Sequence, residues 1–195
     1  CTAAALGILI QMGAFEGTLR WSVLNYYTLM SNALCALYFF FEMLSIGSGA
    51  DTPLPGLKGA VVTGITITGL VYHFVLAGSF QMQGTLSLSN LLLHYAVPVM
   101  AVADWLLFSP KGTYRLSSPF LWLLLPDGYF LYATVRVALG ATLGYGGNRY
   151  PYPFLNADAL GWGQVLKNGL IMNLFFLLLG FLYLFLDRLM AKKAN

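Results

Sequence analysis

The stretch Ser89–Phe108, S-N-L-L-L-H-Y-A-V-P-V-M-A-V-A-D-W-L-L-F, is long and apolar enough to cross a membrane, yet it carries His94, Pro98 and Asp104. Ionisable side chains are costly at membrane depth, so within a span they point to function. Pro98 has no N–H, which leaves the His94 carbonyl without its helical partner. The stretch therefore reads as a membrane helix with a polar, locally distorted spot centred on His94.

The whole chain agrees with that reading. It has 195 residues, 58% hydrophobic and only 9% charged, where a water-soluble domain carries about 25% charged residues. The formal charge of +3 is small and scattered between apolar runs, unlike the clustered basic face of a nucleic-acid binder. The two cysteines, Cys1 and Cys35, form no disulfide framework or paired metal motif.

Six apolar segments mark out an all-α, polytopic bundle in one integral membrane domain. They run roughly 1–15, 23–46, 57–80, 89–108, 118–143 and 166–187, with loops rich in Gly, Pro, Ser or charge between them. The first run, Thr2–Phe15, falls short of the ~20 residues of a span and reads as a span clipped at its start. Basic residues near the span ends divide into Lys58, Lys111, Arg115, Arg188, Lys192 and Lys193 on one side, and Arg20, Arg149 and Lys167 on the other. This asymmetry places both termini in the cytoplasm. Small residues in Thr63–Gly69, T-G-I-T-I-T-G, suit close helix packing in lipid.

Counting residues inward from the outer face puts Thr28, His73, His94 and Arg136 at one depth, on four helices, roughly 8–10 Å down at about 1.5 Å per residue. Each lies in a polar stripe of three- and four-residue spacing: Asn25, Thr28, Asn32 and Cys35; Thr66, Gly69 and His73; Asn90, His94 and Pro98; Tyr129, Tyr132 and Arg136. Such stripes turn inward, because lipid satisfies no polar group. The expectation is one shared pocket near the outer leaflet.

A nucleophilic site needs a hydroxyl or thiol within reach of a base, and Thr28 with His94 supplies both. The plainer readings are a threonine bonded to its own helix and a histidine in an interhelical hydrogen bond. His73 and His94 also make an axial pair for a bis-His haem; zinc is disfavoured, since no third ligand lies at that level. A small transporter would use the same buried polar cluster, although no internal repeat is visible. Asp104 and Asp127 lie towards the cytoplasmic half, either paired with Lys111 or Arg115 or steadying the break at Pro126. The segment Arg149–Phe154, R-Y-P-Y-P-F, reads as extended, since each proline disfavours helix in its predecessor; it is either a surface loop or a lid, with Asn156 or Asp158 capping a short helix towards Trp162.

Four motifs, Y-Y-T-L-M-S-N (26–32), H-Y-A-V-P (94–98), P-D-G-Y-F-L-Y-A-T-V-R (126–136) and Y-P-Y-P-F (150–154), in that order and spacing, resemble bacterial six-span relatives of the androgen-induced protein family, which includes the androgen-dependent TFPI-regulating protein. The resemblance covers about residues 22–165. It implies an intramembrane threonine hydrolase acting on lipid esters such as fatty acid esters of hydroxy fatty acids, in a bacterial plasma membrane. By position, the nucleophile falls on Thr28 and the histidine on His94. The expected scheme needs no cofactor or metal. In it, His94 takes the Thr28 proton and Asn32 or Asn25 donates to the oxyanion. Arg136 holds a lipid carboxylate, His73 orients a water, and Asn90, Tyr129 and Tyr132 complete the substrate-binding wall.

Overall fold

The computed structural model describes residues 1–51, 53–77 and 84–193, and every element among them is helical. The expected outer end of the third segment, residues 78–80, lies outside the described residues. Helices α1 (Thr2–Gln11), α2 (Tyr27–Gly47), α3 (Pro55–Val71), α4 (Thr85–Leu91), α5 (Val97–Phe108), α6 (Ser118–Trp122), α7 (Leu124–Ala138) and α8 (Ala157–Lys193) follow in order. A π-helical turn, Tyr72–Leu76, extends α3, and another, Leu92–Ala96, joins α4 to α5.

Four helical stretches are long and apolar enough to cross a membrane: Tyr27–Gly47, Pro55–Leu76, Leu86–Phe108 and Ala157–Lys192. Large apolar side chains such as Phe41, Val99, Leu178 and Phe185 face outward from them, as a lipid-facing surface requires. The other two expected segments differ. The first forms only the ten-residue α1, which stops before Gly13 at φ 77°. The fifth is split at Leu123 into α6 and α7, and α7 ends before Gly140 at φ 90°.

Helix α3 is the axis of the bundle. Of its apolar window 61% is buried, against 33%, 33% and 22% for the other three long helices. Pro55 opens it at the first turn, where a missing N–H costs nothing. Its glycines explain how several neighbours come so close. Residues five apart are rotated by about 140° on a helix, so Gly59, Gly64 and Gly69 open three different sides. A Cβ at Gly59 would run into the Trp122 ring, one at Gly64 would lie 3.1 Å from the Tyr27 hydroxyl, and one at Gly69 2.9 Å from the His94 carbonyl oxygen.

The cytoplasmic half, as read from the sequence, holds a buried ion cluster. Lys58 Nζ lies 2.8 Å from Glu42 Oε1 and 2.6 Å from Asp104 Oδ2. This corrects two expectations. Lys58 is buried at 2% exposure rather than flanking a span, and Asp104 pairs with it instead of Lys111 or Arg115. Lys111 turns instead to the Trp105 and Ser109 carbonyls at the end of α5, where helix carbonyls lack intrahelical donors.

Candidate active site

Helix α2 begins later than its apolar run suggests. Trp21–Asn25 form a 3-10 turn and Tyr26 is extended, at φ −88° and ψ 138°. Thr28 therefore lies in the first turn of α2 rather than well inside a span. First-turn N–H groups have no intrahelical acceptor and sit at the positive end of the helix dipole.

The π turn Leu92–Ala96, between α4 and α5, carries His94 opposite Thr28. The turn occurs where Pro98 denies the His94 carbonyl its donor, and Gly69 of α3 packs against that carbonyl and the proline ring. Irregular turns of this kind are frequent at functional sites.

Thr28 and His94 meet, both buried, with Thr28 Oγ1 3.2 Å from His94 Nε2. The other ring nitrogen, Nδ1, lies 3.2 Å from the Asn90 carbonyl oxygen. A carbonyl only accepts, so Nδ1 carries the proton and Nε2 is left to accept from the Thr28 hydroxyl. Tyr72 stacks on the imidazole, with ring centroids 3.9 Å apart and planes 25° apart, and its hydroxyl accepts from Asn90 Nδ2 at 2.7 Å.

Asn32, fully buried, donates both amide hydrogens to carbonyls, of Thr28 at 2.8 Å and Leu93 at 3.1 Å. It clamps the helix of Thr28 to the turn of His94 and has no hydrogen left for an oxyanion, which corrects its expected role. Asn25 also serves structure, its backbone carbonyl accepting from Tyr129 at 3.0 Å and its side-chain oxygen from Tyr132 at 2.8 Å.

His73 and Arg136 stand apart from this pair. His73 is exposed and meets the Tyr95 hydroxyl at 3.2 Å. Arg136 is exposed, donates to the Tyr132 hydroxyl at 3.2 Å and lies over that ring. Neither lines a cavity at Thr28. Both ring nitrogens of His94 are engaged, by Thr28 and by the Asn90 carbonyl, and His73 meets Tyr95 instead.

The residue that sequence reasoning missed is Tyr152. The segment containing it is no bare surface loop, because Tyr150, Tyr152 and Leu155 are buried. Asn168 donates to the Phe154 carbonyl at 2.9 Å, and Asn156 Oδ1 caps α8 by accepting from the Asp158 and Ala159 N–H groups. The Tyr152 hydroxyl sits over the α2 N-terminus and accepts the Thr28 N–H at 3.4 Å. Burial pushes the Tyr152 phenol up, so it stays protonated at neutral pH.

Two cavities meet at Thr28. The larger, about 310 Å³, is mainly apolar and lies between α3, α7, α8 and the 152–155 segment, with Val71, Phe130, Leu170 and Phe176 among its walls. The smaller, about 50 Å³, is lined by Gln11, Tyr26, Tyr72, His94, Tyr145 and Tyr152 among others. That volume, with polar groups converging on it, suits one ordered water. No family model, curated protein or solved structure matches the chain.

Proposed function

We propose that the chain is an intramembrane lipid ester hydrolase with Thr28 as nucleophile and His94 as general base. The observation that carries this reading is the contact between Thr28 Oγ1 and an imidazole whose far nitrogen is held by a backbone carbonyl. In this scheme Oγ1 bonds to the ester carbonyl carbon while its proton passes to His94 Nε2. The Asn90 carbonyl holds the opposite N–H and so favours the imidazolium. The oxyanion forms at the α2 N-terminus, where the Tyr152 hydroxyl, its oxygen accepting the Thr28 N–H, donates in place of the asparagines first expected.

Collapse of the tetrahedral species breaks the bond to the alcohol oxygen, which leaves with the proton from His94. A water in the small cavity then gives a proton to the same nitrogen and attacks the acyl-threonine. That bond breaks, the acid departs and Thr28 regains its hydrogen. The apolar cavity receives the hydrocarbon part of the ester from the bilayer. Each step runs on this chain's own side chains and water.

In the same reading the chain is a bacterial six-span relative of the androgen-induced protein family, in the plasma membrane with both termini cytoplasmic. Segments 1–15 and 118–143 would complete the count beside the four long helices.

The test is labelling of the detergent-purified chain with a fluorophosphonate. Wild type and Thr28→Ser should label, while Thr28→Ala and His94→Ala, with melting temperatures near wild type, should not. Undiminished labelling of Thr28→Ala would overturn the assignment.

A further inference from the structure

The large cavity contains a group that ester hydrolysis does not use. Asp127, in the first turn of α7, and Asn173, across from it on α8, both line the cavity that Thr28 opens into. Among the described residues neither side chain has a hydrogen bond or ion pair, and Asp127 is exposed. Asp127 falls near the middle of the apolar segment 118–143. A carboxylate at that depth is expensive unless something pairs with it. A favourable position near the α7 N-terminus accounts for an acid there, but not for the amide that joins it on the cavity wall from a separate helix.

We infer that Asp127 and Asn173 form a subsite for a hydrogen-bond donor, a hydroxyl carried on the hydrocarbon chain of the lipid ester, and that the subsite rejects a chain bearing a carboxylate. The inference rests on the hydrolase reading for the word ester, while the subsite itself is a matter of binding. The chemistry is asymmetric. A carboxylate and an amide oxygen both accept from a hydroxyl, and a bond to a charged group is about twice as strong as a neutral one. A second carboxylate beside Asp127 meets like-charge repulsion inside an apolar wall. This reverses the selectivity expected of Arg136, which lies outside the cavity. The preferred substrate is therefore a hydroxylated acyl or alkyl ester with no free acid at the chain position that reaches Asp127.

Binding tests this without turnover. The full chain in detergent is loaded with a fluorescent dodecyl probe, which is displaced by dodecyl methyl ether, its 12-hydroxy derivative or its 12-carboxy derivative. The hydroxylated ether should displace the probe about tenfold more effectively than the plain ether, and the carboxylated ether least effectively. Asp127→Leu should abolish the hydroxyl preference. Asp127→Asn should retain it and admit the carboxylated ether, which also guards against a folding defect in the leucine variant. Equal displacement by the three ethers in wild type, or a hydroxyl preference that survives Asp127→Leu, would overturn the subsite. Fluorophosphonate labelling of the same samples separates the two ideas. A hydroxyl preference without Thr28-dependent labelling would sink the hydrolase and keep the subsite, and labelling without the preference would do the reverse.

Discussion

Tyr72 lies face to face with His94, ring centroids 3.9 Å apart, and this stack fixes the plane in which the imidazole presents Nε2 to Thr28. Aromatic pairs contribute about 0.5–1.5 kcal/mol beyond their buried area. Tyr72→Leu should therefore slow fluorophosphonate labelling by about tenfold. Tyr72→Phe, which keeps the ring and loses only the bond from Asn90, should stay within about threefold of wild type. Labelling time courses distinguish the two.

Tyr152→Phe removes the hydroxyl over the α2 N-terminus while keeping the ring packed edge-on to Tyr26. Loss of one oxyanion donor typically costs about 10²–10³ in kcat. Hydrolysis of a lipid ester should show that loss in kcat with KM little changed. A change confined to KM would make Tyr152 a binding residue only.

Gly69→Ala puts a methyl 2.9 Å from the His94 carbonyl oxygen and 3.3 Å from the Pro98 ring. Neither neighbour is the free end of a flexible side chain, so α3 and the π turn must separate. Overpacking of this kind costs about 1–3 kcal/mol. The expected result is a lower melting temperature together with lost labelling, since the shift displaces His94.

Asn32→Asp tests the clamp through its sign. Both amide hydrogens face carbonyl oxygens, and an ionised aspartate would present acceptors to acceptors. Asn32→Ala should destabilise by about 1–3 kcal/mol through loss of both bonds, the Thr28 carbonyl keeping only its donor from Ser31, and Asn32→Asp by more. Denaturant unfolding of the three proteins gives the order.

Lys58→Met leaves Glu42 and Asp104 without their cation. Breaking a buried pair from one side costs about 3–5 kcal/mol, because the remaining charge has lost its compensation. Adding Glu42→Gln should recover part of that loss. Thermal unfolding of the single and double variants measures the recovery.

Much of the site was visible in the residues themselves. His94 and Pro98 stand out because an ionisable group and an imino acid are both anomalies in an apolar run. Thr28 followed from its depth. His73 misled, since positions three and four after Gly69 are nearly equivalent on a helical stripe and only packing chooses between them. The bundle presents Tyr72 inward and leaves His73 exposed. Tyr152 had no local signal, because tyrosines gather at membrane interfaces for reasons unrelated to catalysis.

The sequence by itself determined that the chain is helical and rich in long apolar segments, and that His94 and Pro98 interrupt one of them. Hydrophobicity, proline and charge act on neighbours along the chain, so their consequences are legible there. Only the tertiary structure decided that Thr28 lies in the first turn of α2 with its N–H turned to the Tyr152 hydroxyl, that the 152–155 segment folds over it, and that Asp127 rather than Arg136 shares its cavity. Those relations depend on how separate helices rotate and approach, which the glycines of α3 permit and long-range packing selects.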